Sequence, residues 1–128
     1  MRELISTEID RQHQLLARWL GSEAPPEVMD ELRAAHTDDF TMVTTDGQPL
    51  DNTGLFEALA GARNARPGLR ILTSQVELVA ELGEGLLARF LETHVDHGHT
   101  SSRRVTVLFR IEPGGPRWRY LHETAIPG

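Results

Sequence analysis

The chain contains no cysteine, one tyrosine, two tryptophans and fewer basic than acidic residues. The missing cysteine excludes a disulfide framework, a cysteine-ligated zinc or iron–sulfur site and a thiol nucleophile. Thirteen Lys and Arg against nineteen Asp and Glu leave a formal charge of −6, which argues against a phosphate-binding surface and therefore against nucleic acid as a partner. No run approaches the roughly 20 apolar residues needed to span a bilayer, and MRELISTEIDRQ places acids where a secretory leader would be apolar. The expectation is a protein without membrane segments, located in the cytoplasm. Also missing are a Gly-x-Gly-x-x-Gly fingerprint, a phosphate loop and a Gly-x-Ser-x-Gly elbow, so nucleotide chemistry and serine hydrolysis lack support and no cofactor is expected.

What is present suits one globular domain spanning residues 1–128, with 39% hydrophobic and 25% charged residues. From Arg2 to Leu20, Ile5, Ile9, Leu16, Trp19 and Leu20 recur near helical spacing, with Gln12 and His13 between them and Gly21 as a stop. Trp19 is expected to pack between this helix and a sheet. Pro25 and Pro26 open a second helix running to about His36, with Val28, Met29, Leu32 and Ala35 as its buried stripe. DDFTMVTTDGQPL reads as a strand or short hairpin turning at Asp46-Gly47, and Asp51, Asn52 or Thr53 caps a third helix bearing Leu55, Phe56, Leu59 and Ala62.

The second half loses the helical period. Residues 69–82 place Leu72, Val76, Leu78, Ala80 and Leu82 on one alternating face, and 86–96, 103–112 and 117–126 read as three more strands. Three helices followed by an antiparallel meander give a segregated α+β fold. A closing hairpin that turns at Gly114-Gly115 would set Ile111 opposite Trp118, Phe109 opposite Tyr120, Val107 opposite His122 and Val105 opposite Thr124. Its other face, with Leu108, Arg110, Arg119 and Leu121, is mixed in polarity, which suggests helices on one side of the sheet and a second copy of the chain on the other.

Three stretches, LRAAHTDDFTMVTTDGQPLDNTGLFEAL, RRVTVLFRIEPGGPRWRYLHET and WLGSEAPPEVMDEL, resemble the nuclear transport factor 2-like superfamily, particularly its small bacterial SnoaL-like and ketosteroid isomerase-like members. The resemblance covers nearly the whole chain. It implies a cystatin-like cone, with the three N-terminal helices packed in the concave face of a strongly curved, mostly antiparallel sheet, a pocket at the open end and a homodimer formed through the convex face. The fold hosts isomerases, cyclases, dehydratases and proteins without chemistry, so function rests on the residues that point inward.

Glu92, His94 and Asp96 alternate and share a face with Phe90. With an even turn at HGHTSS that face continues into Val105 and Val107, and in the expected register into Tyr120 and His122. Glu92, His94, Tyr120 and His122 are thus the candidate catalytic set: a carboxylate and imidazoles for acid–base work, a phenol as oxyanion donor. Each has a structural alternative: Glu92 with His94 at a wet sheet edge, Tyr120 as a core residue, His122 as a satisfied histidine. Phe40, Met42, Phe56, Leu59, Phe90, Val107, Phe109 and Trp118 are the candidate pocket lining, and an apolar lining implies a small apolar or carbonyl-containing ligand. His94, Asp96, His97 and His99 lack a specific metal-ligand spacing, and no metal is assigned. His36 can reach the pocket rim or hold its own helix C-terminus as an imidazolium. The arginines of the last strands read as cross-strand partners of glutamates. Two functions remain open: a cofactor-free isomerase, cyclase or dehydratase, or a noncatalytic binding or association module.

Overall fold

A computed structural model describes residues 1–128. The chain runs α1 (Arg2–Gly21), α2 (Pro26–Ala34), β1 (His36–Val43), β2 (Pro49–Asp51), α3 (Asn52–Ala60), β3 (Arg70–Leu82), β4 (Gly85–Asp96), β5 (His99–Glu112) and β6 (Gly115–Ile126). The α+β reading therefore holds. The six strands form one sheet in the order β2-β1-β6-β5-β4-β3, antiparallel except where β1 runs parallel to β6. The Asp51 side chain caps α3 by accepting from Gly54 N–H at 2.8 Å, and Pro26 starts α2 where a missing N–H costs nothing. No helix is long and apolar enough to cross a membrane.

The long strands form two tight hairpins that decide which side chains point inward. Between β4 and β5 the turn is His97-Gly98, both with positive φ (49° and 81°), the conformation a two-residue hairpin needs. Asp96 then pairs His99, and Phe90, Ala88 and Leu86 pair Val105, Val107 and Phe109 on the inner face. Between β5 and β6 the turn falls one residue earlier than the paired glycines suggest, on Pro113-Gly114, because proline's fixed φ suits the first corner of a turn. Phe109 consequently pairs Trp118, not Tyr120.

A bulge then corrects the phase. The register shifts between Phe109–Trp118 and Leu108–Tyr120, leaving Arg119 as the extra residue on β6. From there Val107 pairs Leu121 and Val105 pairs Glu123. The inner face of β6 is thus Trp118, Leu121 and Glu123, while half-buried Tyr120 and exposed His122 lie on the outer face. This corrects the expected register: the residues Tyr120 and His122 do not share a face with Glu92, because a one-residue slip exchanges the two sides of a strand. A similar correction applies to β3. Irregularities after Ser74 and after Leu78 keep Val76 and Leu78 against the core but turn Leu72 and Leu82 outward, 47% and 56% exposed.

The main core lies between α1 and the sheet, where Ile5, Ile9, Phe40, Phe90, Val105, Val107, Phe109 and Trp118 are buried together. A second cluster sits among the helices, and Trp19 belongs to it with Val28, Met29, Leu32 and Phe56 rather than to the sheet. Its indole N–H donates to the Leu59 carbonyl at 2.7 Å. The register makes a direct prediction. Phe109→Ala is expected to cost about 3–5 kcal/mol in urea unfolding, whereas His122→Ala is expected to stay within about 0.5 kcal/mol. Comparable losses for the two would restore the other register.

Candidate functional site

Helix α1 supplies the inward face that makes the site. Ile9, Gln12, His13, Leu16 and Leu20 recur at helical spacing, so two polar residues occupy positions the period reserves for the interior. His13 sits over β4, where Phe90, Glu92 and His94 point inward at alternate positions. Its ring meets Phe90 and Trp118 edge-on, with centroids 5.3 and 5.8 Å away.

The result is a buried His13–Glu92–His94 unit. His13 Nε2 lies 2.9 Å from Glu92 Oε1, and His94 Nε2 lies 2.6 Å from Glu92 Oε2. The three residues are only 3%, 2% and 5% exposed. His13 Nδ1–H donates to the Ile9 carbonyl at 2.7 Å. An ionised Glu92 therefore faces a His13 ring that donates from both nitrogens, an imidazolium. Burial opposes both charges, but their mutual attraction and hydrogen bonds outweigh it: the His13 pKa is raised and the Glu92 carboxyl is held far below its usual range. His94 uses the other tautomeric pattern. Its Nδ1 accepts from the Arg66 guanidinium at 3.1 Å, so Nε2–H is the donor toward Glu92. Arg66 also donates to Asp96 at 2.9 Å and so holds the Asp96 carboxyl below its ordinary pKa.

This unit closes one wall of a cavity of about 290 Å³, at the small end of ligand pockets, which run upward from roughly 300 Å³. Leu16, Leu20, Leu55, Leu59, Phe40, Met42, Trp118 and Leu121 supply the apolar lining, and Gln12, His36, Arg66, Arg103 and Glu123 the polar remainder. Of the pocket residues expected from sequence, Phe40, Met42, Leu59 and Trp118 line this cavity. Phe90, Val107 and Phe109 lie in the core and Phe56 among the helices. Glu92 and His94 are in the wall, while Tyr120 and His122 are on the opposite side of the sheet and cannot join them.

Two further groups shape the electrostatics. Burial pushes the Glu123 carboxyl up, as does nearby Glu92, with Arg103 pulling the other way from 3.5 Å. His36 donates from Nδ1 to the Leu32 carbonyl at 2.7 Å, the helix C-terminal contact foreseen from sequence. It does so as a neutral ring, not an imidazolium, because burial outweighs that bond and brings its pKa down to about 4. Phe40, Phe56 and Trp118 enclose it, with ring centroids 4.6–6.1 Å away. No group of three or more His, Asp or Glu side chains is arranged to hold a metal ion. His97 lies in the exposed turn and His99 just after it, His97 contacting Asp96 at 3.1 Å.

His13 and Arg66 were not among the sequence candidates. His13 carried a readable signal, a polar residue in phase with an apolar helical stripe. Arg66 had none, since it lies in the irregular segment between α3 and β3 and its role depends on where that segment crosses the sheet. The expected cross-strand pairing appears in Arg89–Glu77 at 2.7 Å, Arg117–Glu112 at 3.3 Å and Arg103–Glu123 at 3.5 Å, whereas Arg110 and Arg119 turn to Asp39.

No family model and no curated protein matches the chain. Among solved structures, an NTF2-like protein of unknown function from Pseudomonas aeruginosa is 32% identical over 97% of this chain and 99% of its own, with a TM-score of 0.91. The chain belongs to the NTF2-like family, as the sequence resemblance implied. An NTF2-like protein with a cystatin-like fold from Novosphingobium aromaticivorans is 16% identical over 99% of this chain and 80% of its own, with a TM-score of 0.73. An NTF2-like family member from Streptomyces avermitilis, provisionally named a dehydratase, is 13% identical over 99% and 96%, with a TM-score of 0.80. These two likenesses establish shared fold alone.

The depressed His36 titration has a measurable consequence. A folded-state pKa near 4 against 6.5 unfolded means that the unfolded chain takes up this proton first, so stability falls as pH drops through that window. His13, with its raised pKa, contributes stability that is fully present below 6.5, and Glu92 loses its contribution only below 4.5. Urea unfolding is expected to show the wild type losing on the order of 2 kcal/mol more than His36→Phe between pH 6.5 and 4.5. Parallel pH profiles for the two proteins would contradict the neutral buried ring.

Proposed function

We propose that the protein binds a small, mostly apolar, carbonyl-bearing molecule in this cavity and moves a proton on it without a cofactor. The observation that carries the reading is the His13–Glu92–His94 unit in the wall of an otherwise largely apolar pocket. Glu92 accepts from His94 Nε2–H, which orients the ring and would stabilise the imidazolium formed when Nδ1 takes a proton. His94 Nδ1 is capped by Arg66, a side chain still 36% exposed, and swinging of that side chain toward the mouth would free it. Arg103, whose one partner is Glu123 at 3.5 Å, has N–H groups left to meet a developing enolate oxygen. The abstracted proton then returns at another carbon, giving isomerisation, or a leaving group departs, giving elimination.

A specific observation favours a second reading, that of a noncatalytic carrier: both nitrogens of His13 and of His94 are already occupied by protein groups. One experiment separates the two. Tetralone is incubated with the protein in deuterated buffer, and loss of its α-proton NMR signal is followed. Catalysis is expected to accelerate exchange over buffer, and Glu92→Gln is expected to reduce the protein-dependent rate by about 10²-fold or more. Binding without exchange would identify the carrier, and absence of binding would defeat both.

The same proposal takes the protein to be a cytoplasmic homodimer assembled through the outer sheet face. The dimer is supported by Leu87, Leu91, Leu108 and Tyr120, half-buried on adjacent strands, with exposed Leu72 and Leu82 at the rim. Light scattering during size-exclusion chromatography is expected to give twice the 14.3 kDa chain mass, falling to the single-chain value in Leu108→Lys. A monomeric wild type would remove the dimer from the proposal.

A further inference from the structure

Buried polar atoms in folded proteins nearly always have a hydrogen-bond partner, because leaving one unpaired forfeits its hydration with no return. One such atom, Gln12 Oε1, and one ring nitrogen without a protein hydrogen bond, His36 Nε2, belong to side chains that line the cavity. Gln12 Oε1 is buried and unbonded. His36 has committed its ring proton to the Leu32 carbonyl through Nδ1, which leaves Nε2 as a bare lone pair, and Nε2 makes no bond to the protein. Both residues are 6% exposed. They come from different elements, α1 and the start of β1, and both are acceptors.

Two acceptors call for a ligand that donates. Resting on the small-molecule reading above, we infer that the cavity is built for an uncharged molecule that presents a hydroxyl group to His36 Nε2 and Gln12 Oε1. An ammonium group also donates, but it would enter a pocket whose walls hold the His13 imidazolium, Arg66 and Arg103. A carboxylate can pair with Arg66 or Arg103 but brings only lone pairs to Gln12 Oε1 and His36 Nε2, and so leaves both acceptors unmatched. A neutral hydroxyl meets both acceptors, one as donor and the other through a second hydroxyl or a shared water, and its apolar body lies along Leu16, Leu20, Leu55 and Leu59. His36 and Gln12 are then specificity-determining residues, separate from the proton-moving unit.

Calorimetry with four probes tests this: a hydroxytetralone, the parent tetralone, a tetralone carboxylate and an aminomethyl tetralone. The hydroxyl compound is expected to bind about tenfold more tightly than the parent. Gln12→Leu and His36→Phe are each expected to erase most of that advantage, read as the ratio of hydroxyl-compound to parent affinity within each variant. The His36 Nε2 nitrogen signal is expected to move upfield on adding the hydroxyl compound and to stay put with the parent. Equal affinity for parent and hydroxyl compound, tighter binding of the carboxylate or the ammonium, or an unmoved His36 signal would overturn the inference while leaving the small-molecule reading intact. Failure of all four to bind would overturn both.

Discussion

The structure depends on keeping one negative charge inside a protein. Glu92 points from the middle of β4 into a region otherwise filled by Phe90, Val105 and Trp118, where an isolated carboxylate would cost several kcal/mol. Its charge survives because each oxygen has its own imidazole, one brought by α1 and the other two residues along the same strand. That requirement ties the first helix to the fourth strand more specifically than apolar packing could, since the hydrogen bonds accept only one rotation and one height of α1 over the sheet. Trp118 and Phe90 pack edge-on against the His13 ring and lower the polarity around the pair, which strengthens its attraction.

Much of this was legible from sequence because the patterns are redundant. The helices announce themselves through period and caps, and the strands through alternation, turn residues and β-branched content. The pairing of Glu92 and His94 with Phe90 follows from alternation alone. Failure came where a single residue decides. Pro113 moves the turn by one position and Arg119 adds one to β6, and neither displacement leaves a trace in the hydrophobic pattern, since Tyr120 and Leu121 suit either face. The same holds for β3, where Gln75 in a left-handed conformation and the irregularity after Leu78 switch sides within a run that looks alternating. His13 shows a different limit. Its phase in the helix was readable, but its partner is 79 residues away in the chain, and only the tertiary fold brings them together.

Beside the Arg103–Glu123 pair, the polar groups in and around the cavity fall into two sets. His13, Glu92, His94, Asp96 and Arg66 are joined in a chain of hydrogen bonds and ion pairs. Gln12 and His36 stand outside it and look into the space between the helices and the sheet. In the proposed reading, acid–base capacity and recognition capacity are carried by different residues on different elements, and one can change without dismantling the other.

The extra residue in β6 also bears on how relatives are to be compared with this chain. Residue-for-residue correspondence cannot be carried through Arg119 without asking whether the other protein makes the same excursion. A gapless alignment to a strand that lacks it would equate side chains on opposite surfaces of the sheet, lending a solvent-facing histidine the part of an interior carboxylate. Inherited function in this family is therefore better traced by superposed coordinates on each side of that point than by columns of letters.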